Sequence, residues 1–513
     1  MTVIASAFVK AVDAQADLVP NRVAFVNSDG ERITFSQLRR ASDALACWIA
    51  GHPDIPAKAP LVVYGHKSPL MLVSFLACVK SGHAYAPVDT VYPAERVANI
   101  ASQVAPTAVL DTIGTFTQAD APEMGAPCIG PEELAAACAQ PFSAEQAHAL
   151  EGLGAEDTYY ILFTSGSTGT PKGVTACHRS LIDYANALCP VIGAAADSVF
   201  AMQVPLYVDA CMKEILSVIK CGSTAYLMQQ SLFMSPLMVL NFLNCHGINT
   251  VCWVASALTM VSGLGAFAEG RPEHLRTVCF GSEVFPVKQL KLWQQAAPEA
   301  RFINLYGPTE ATGMSFYYEV DREFAENEPI PVGRPFDNTG FFLLREDNTE
   351  APDGELGEIC IRGTAVTLGY FDDPERTAAA FVQNPLNPHY PELIYRTGDL
   401  GRLNERGELV FVSRKDNQIK SMGHRVELGE IEACACMAEG VENACCLFDK
   451  AKKKLHLYYM GTADEKSVRA YLIKELERYM IPSKLYRMDT LPMLPNGKID
   501  RNLLMENYNG RNL

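Results

Sequence analysis

The sequence predicts an α/β protein: a large N-terminal region of wound α/β sheets carrying a small β-barrel-like subdomain, then a small mobile α+β C-terminal domain. Three observations carry this. Helical and strand periodicities alternate with short connectors from the start to about residue 330, as in a largely parallel sheet with its ligand crevice at the strands' carboxyl ends. Near Pro329 the texture shifts to short strands separated by Gly-rich acidic turns. At Ser413-Arg-Lys-Asp416 a strand gives way to charged and polar residues, and the chain beyond is long enough for a core of its own. The boundaries read as 1–413 for the first unit, with the β-rich part at about 330–413, a hinge near 414–416, and 417–513 for the second.

In chain order, the first ten residues suit an amphipathic helix better than a signal peptide, because Lys10 and Asp13 break the apolar run. Ser36 is placed to cap a helix running through Trp48. A short strand is expected at 61–64, a buried helix at 68–80 and a further strand by 89. Residues 158–163 are β-branched, aromatic and aliphatic, a buried strand that opens into a loop of Gly, Ser and Thr with one cation, Lys172. Bare amides and hydroxyls of that kind wrap an oxyanion. The Walker pattern is excluded, since Lys172 follows Pro171 and precedes Gly173. Strand-to-loop transitions recur at 277–283 and 302–310, and shorter strands at 340–344, 357–363 and 407–412. In the last unit, 427–437 reads as a helix, 454–460 as a strand, 467–479 as a helix and 494–500 as a tight turn.

Composition sets limits on function. Lys plus Arg total 43 against 59 Asp plus Glu, a formal charge of -16 that disfavours a nucleic-acid partner. The longest apolar run, at 69–79, is too short for a bilayer, so no membrane is expected and the location reads as cytoplasmic. The 16 Cys show no paired C-x-x-C spacing, and reduced thiols are the reading for them, the cluster Cys434, Cys436, Cys445 and Cys446 included.

Eight segments in order resemble the adenylate-forming family, which includes acyl-CoA synthetases, luciferases and nonribosomal peptide synthetase adenylation domains, and most of all the stand-alone amino-acid adenylation domains and D-alanine:carrier-protein ligases. They are GHAYAPVD (82–89), LFTSGSTGTPKGV (162–174), NLYGPTE (304–310), GELGEICIRG (354–363), YRTGDL (395–400), GHRVELGEIE (423–432), YMIP (479–482) and PNGKIDR (495–501). The resemblance implies a ligase that uses ATP and Mg²⁺ to form an aminoacyl-AMP with release of pyrophosphate, then transfers the acyl group to the phosphopantetheine thiol of a carrier protein. It implies that Thr164, Ser165, Gly166, Ser167, Thr168, Gly169 and Lys172 take the polyphosphate. Gly281, Ser282, Glu283, Asn304, Tyr306, Gly307, Thr309, Asp399 and Arg414 complete the nucleotide site, with Tyr306 a face for adenine and Asp399 an acceptor for ribose. Glu310 serves Mg²⁺ and Lys498 brings a catalytic cation from the small domain, with Glu310 and Thr164 the other catalytic groups. Asp416 is the hinge, where only the leading glycine of the usual Gly-Arg-x-Asp is replaced, by Ser413. Rotation about it withdraws Lys498 and presents 423–432 for thioester formation.

Asp209 aligns with the carboxylate that pairs with a substrate α-ammonium, and Ala210, Lys213, Cys252, Val278, Phe280, Leu305, Gly313 and Met314 with the rest of the substrate wall. Lys213 suggests a partner carboxylate in an acidic substrate, while its bending out to solvent or pairing with Asp209, with Phe280 limiting the space, suggests a small one such as alanine. The D-alanine ligases carry Cys at the position of Phe280, whereas here Cys279 comes one earlier, which weakens D-alanine as the substrate. After Arg501 no carrier segment follows, so the carrier is expected in trans. The basic run Lys450, Lys452, Lys453 and Lys454 is either a solvated loop or a face for an acidic carrier. Two rivals share the fold: an acyl-CoA synthetase for a small carboxylic acid, which has no use for Asp209, and a catalytically silent nucleotide-binding homologue, which has none for the retained Lys172, Glu310, Asp399 and Lys498.

Overall fold

Two wound sheets organise the large domain. A computed structural model describes residues 2–116, 126–143, 146, 153–165, 171–326, 328–415, 418–450, 452–492, 499–501 and 503–505. The seven-stranded sheet runs in the order Gly369–Tyr370, Lys172–Cys177, Thr158–Thr164, Tyr85–Asp89, Leu61–Gly65, Val109–Asp111, Cys128–Ile129. Its members from Thr158–Thr164 onward are parallel, and the other two are antiparallel. The nine-stranded sheet centres on parallel strands Arg301–Tyr306, Thr277–Gly281, Thr250–Val254, Val199–Met202, Thr224–Leu227 and Val23–Val26, with antiparallel strands at both edges. Central strands such as Tyr85–Asp89 and Thr250–Val254 are buried at every position, as expected when helices cover both faces.

The texture change near Pro329 becomes an antiparallel five-stranded sheet. Leu393–Leu403 is its spine, pairing with Gly357–Gly363, Phe381–Gln383 and Leu409–Arg414. The small domain follows with a hairpin, Gln418–Ser421 and His424–Glu427, then the helix Leu428–Met437 packed on a three-stranded sheet of Val441–Asp449, Lys454–Gly461 and Lys484–Met488. Its core, which includes Ile431, Cys446, Leu457, Tyr459 and Leu472, is separate from the large domain's.

Two helix starts differ from expectation. The cap of Phe35–Gly51 is Thr34, not Ser36: the Thr34 hydroxyl accepts from the Gln37 amide while the Gln37 side chain accepts from the Thr34 amide, a reciprocal box. Thr34→Ala is expected to lower stability by about 1 kcal/mol, read as a shift in the urea midpoint at constant slope. The helix expected at 467–479 is Glu465–Glu475, capped by Asp464. It stops short of Tyr479, which sits in a separate 3-10 turn, Arg478–Met480, because that ring is drawn into a domain contact described below. The sixteen cysteines are free thiols. Among the described residues no helix is long and apolar enough to cross a membrane.

Candidate active site

One cavity lies where both wound sheets, the antiparallel sheet and the small domain meet. Parallel strands deliver Thr164, Ser282 and Gly307 at or just past their carboxyl ends. The antiparallel sheet adds Asp399 and Arg414, residues directly opposite each other on paired strands. Asp209, Ala210, Thr309 and Met314 add to the large-domain wall, with Tyr92, Arg96 and Tyr207 beside the small domain.

Asp399 is nearly buried and engaged on both oxygens, by the Tyr306 hydroxyl at 2.5 Å and by the Arg414 guanidinium. Tyr306 therefore fixes Asp399 from behind, its ring packed against Phe316 and Phe411 rather than forming part of the cavity wall. Among the described residues the buried Thr164 hydroxyl has no partner, and Thr164 lines the cavity. Gly166, Ser167, Thr168 and Gly169 lie outside the described residues, as do Asp416 and Lys498.

Asp209 opens the short turn Asp209–Cys211 ahead of the helix Met212–Cys221. Burial pushes its carboxyl pKa up, opposed first by Lys213 and then by Lys420. Gly313 adopts φ +85°, and a Cβ there would lie 3.6 Å from both Asp209 Oδ2 and the Tyr184 hydroxyl. That leaves a carboxylate and a phenol close together beside a backbone with no side chain.

The other expected residues surround the cavity without lining it. Asn304 donates to the Pro331 carbonyl at 2.8 Å. Glu283 accepts from the Ser256 amide at 2.9 Å and from the Gly423 amide at 3.2 Å, so it ties the small domain to the large one. Cys252, Val278, Phe280 and Leu305 sit in the packed core, and Gly281 faces Leu305 on the neighbouring strand. Lys213 is 4% exposed and also outside the lining, with its charge directed at Asp209 and Glu214.

The small domain contributes residues the sequence did not single out. Lys420 and Arg425 face each other across the hairpin, and both enter the cavity. Burial lowers the Lys420 pKa, opposed by Asp399 and Asp209. His424 stacks on Tyr479 at 3.8 Å and lies near Tyr207, and burial followed by the Arg96 charge lowers its pKa to about 4, so the imidazole is neutral at pH 7. Arg96 reaches from the large domain to Glu477 at 2.6 Å and Glu430 at 3.4 Å. Gly423 adopts φ +83°, and a Cβ there would run into the Val254 side chain, so the turn approaches the large domain closely only as glycine.

Comparison with known proteins completes the picture. The AMP-binding enzyme family matches residues 12–371. The chain belongs to that family. The D-alanine--D-alanyl carrier protein ligase of Bacillus anthracis (strain CDC 684 / NRRL 3495) is 33% identical over 501 residues, covering 95% of this chain and 96% of its own length. The ligase of the same name from Bacillus thuringiensis (strain Al Hakam) is also 33% identical, with the same coverage. Among solved structures, an NRPS protein containing adenylation and PCP domains, bound to a vinylsulfonamide inhibitor, superposes with a TM-score of 0.83 at 27% identity, over 97% of this chain and 84% of that one. The o-succinylbenzoate CoA synthetase of Bacillus subtilis shares the fold, with a TM-score of 0.82 at 21% identity over 97% of this chain and 98% of that one.

Membership of the AMP-binding enzymes implies a nucleotide, and the Thr164 hydroxyl with the Asp399 acceptor fits one. It also implies Mg²⁺, and here the residues do not fit. Glu310 is fully buried, with Arg425 Nη1 at 2.8 Å from both carboxylate oxygens, Lys172 Nζ at 3.2 Å and the Tyr370 hydroxyl at 2.8 Å. Burial alone would raise the Glu310 pKa, but Arg425 and then Lys172 overcome it and hold it below the usual carboxylate range. The expectation that Glu310 serves Mg²⁺ therefore fails in this seating of the small domain, since two cations already meet its single charge.

Proposed function

We propose that this AMP-binding enzyme activates a small amino acid with ATP and passes it to the phosphopantetheine thiol of a carrier protein. In the first step a carboxylate oxygen bonds to the α-phosphorus as the bond to pyrophosphate breaks. In the second the thiol sulfur attacks the acyl carbon, and AMP departs as the thiol loses its proton. The observation that carries the reading is that two carboxylates, the buried Asp399 and the half-buried Asp209, line one cavity with Thr164. Asp399 suits ribose hydroxyls. Lys213 and Lys420 partly offset the Asp209 charge, and an α-ammonium in the cavity would pair with it directly. A plain carboxylic acid would make no such pair, which disfavours an acyl-CoA synthetase.

The side chain follows from Lys213. Its charge is set against Asp209 and Glu214 and it does not line the cavity, so a small neutral side chain fits better than an acidic one. The ligases named for D-alanine point the same way. Lys498 would supply the first step's cation, and rotation about Asp416, with the boundary at 413–417, would exchange it for the hairpin. The presence of Gly423, His424 and Arg425 in the cavity supports the second of these two arrangements.

The test is a panel of amino acids in ATP–pyrophosphate exchange. Alanine, as one enantiomer or the other, is expected to support exchange well above glutamate and aspartate. Equal or greater exchange with an acidic amino acid would overturn the substrate class, and transfer to free CoA as fast as to a carrier would favour the synthetase reading.

A further inference from the structure

We propose that Cys221 and Cys189 form a peroxide-reactive thiol pair: hydrogen peroxide oxidises Cys221, and Cys189 then closes a disulfide that ties the helix His178–Ile192 to the helix Met212–Cys221. Facing stripes on the two helices bring the thiols together. Cys189 Sγ lies 3.7 Å from the Ser217 hydroxyl, and Ser217 is one turn before Cys221. Lys220 Nζ donates to the Ala185 carbonyl at 3.2 Å and to Asn186 Oδ1 at 2.6 Å, and Ala185 is one turn before Cys189. Positions 185, 186 and 189 on one helix thus meet 217 and 220 on the other, and Cys221 continues the second stripe. A hydrogen bond between the two thiols is the foremost influence on both protons. It raises the Cys189 pKa and lowers that of Cys221, where burial opposes it and Lys220 adds to it.

Access and pairing single these two out among the sixteen cysteines. Cys221 is half-buried, within reach of a molecule as small as peroxide, whereas Cys189 is 3% exposed and lies behind it. Cys128 and Cys436 are exposed, but burial and then the charges of Asp111 and Glu432 raise their pKa values. Cys252 and Cys279, opposite each other on paired strands, do share a hydrogen bond, yet both are sealed in the core. The thiolate is the nucleophile, so access and a lowered pKa coincide at Cys221. Its sulfur attacks one peroxide oxygen, the O–O bond breaks, and the departing hydroxide takes up a proton as water, leaving a sulfenic acid. The Cys189 sulfur then attacks the Cys221 sulfur. The S–S bond forms, the S–O bond breaks, and the hydroxide that leaves takes the Cys189 proton as a second water. Two thiols are oxidised and one peroxide is reduced to two waters, and a thiol such as glutathione undoes the link by exchange. The crosslink would fall behind the substrate wall, since Tyr184 is on the first helix and Asp209 opens the turn leading into the second.

The test uses the full chain, reduced with a phosphine and freed of it, then treated with hydrogen peroxide and mapped as peptides without reduction. Wild type is expected to yield a linked pair of peptides carrying Cys189 and Cys221, lighter by two hydrogens than the two thiol peptides together and lost on adding the phosphine. Cys189→Ser should stop at a sulfenic acid on Cys221 that dimedone traps, and Cys221→Ser should leave Cys189 a thiol. At pH 7 Cys221 should react about 10-fold faster than Cys128 or Cys436, in line with its greater thiolate fraction. Oxidation of Cys128 or Cys436 that leaves Cys189 and Cys221 as thiols would overturn the inference, as would a wild-type sulfenic acid at Cys221 with no link to Cys189. The wild-type map decides the matter even where a serine variant does not fold. In urea the Cys189–Cys221 link should lose its preference over other pairings, and an undiminished preference in the unfolded chain would show that the facing helices do not set it.

Discussion

Lys498→Ala is expected to lower amino-acid-dependent pyrophosphate exchange by ~10²-fold or more, the scale of removing one preorganised charge from a phosphoryl-transfer site. Transfer from preformed adenylate should survive in the same variant. The split follows from which cations the cavity holds in the seating described here. Lys420 enters from the small domain, buried and under the influence of Asp399 and Asp209, and Arg425 neutralises Glu310. With these two in place the small domain has already supplied the cavity's positive charge. A lysine from the later segment 495–501 is needed only in a different seating, the one that forms the adenylate. Exchange at a near-normal rate in Lys498→Ala would refute both the residue's role and the alternation. Loss of both half-reactions together would point instead to a general effect on the small domain.

The strands that bring Thr164 and Asp399 to the cavity were legible because their signals are local. A hydrophobic strand that breaks into a Gly, Ser and Thr loop places Thr164 without any knowledge of the rest of the chain, and a carboxylate on a long strand of a β-rich segment places Asp399. The box at Thr34 and Gln37 was equally local, and the spacing T-x-x-Q was there to be read in preference to Ser36. What was not legible depends on how the domains seat. Arg425 finds Glu310, His424 finds Tyr479, and Arg96 finds Glu477 across long stretches of chain, and no periodicity of a segment encodes its partner in another domain. The helix expected to continue through Tyr479 ended early for the same reason, a tertiary contact overriding local propensity. The proposed substrate wall shows the converse limit. Alternation along Thr277–Gly281 puts Val278 and Phe280 on one face, but whether that face meets a cavity or more core is decided by the helices packed on it, and here it is core.

Asp209→Asn should lower kcat/KM for the amino acid by about 10² to 10³-fold, the range for removing one partner from a buried ion pair. Most of the loss should fall on the amino acid's KM, because pairing with an α-ammonium is made in both the ground state and the transition state, while the KM for ATP stays near wild type. Asparagine keeps the volume, so the packing that holds Ala210 and Met314 is preserved, and Lys213 still has Glu214 to balance it. Glu214 bears on the interpretation. Burial pushes its carboxyl up to about 7, with Lys213 the foremost opposing influence, so in the variant Lys213 keeps one carboxyl group beside it. The measured loss then reports on the substrate's ammonium and not on a collapsed helix start. A deaminated analogue such as propionate separates the cases further: it lacks the ammonium, so Asp209→Asn should accept it no worse, or better, than wild type does. An Asp209→Asn enzyme with an unchanged KM for the amino acid would remove the reason for calling the substrate an amino acid at all, and would leave the family's simpler carboxylic-acid ligases as the better description.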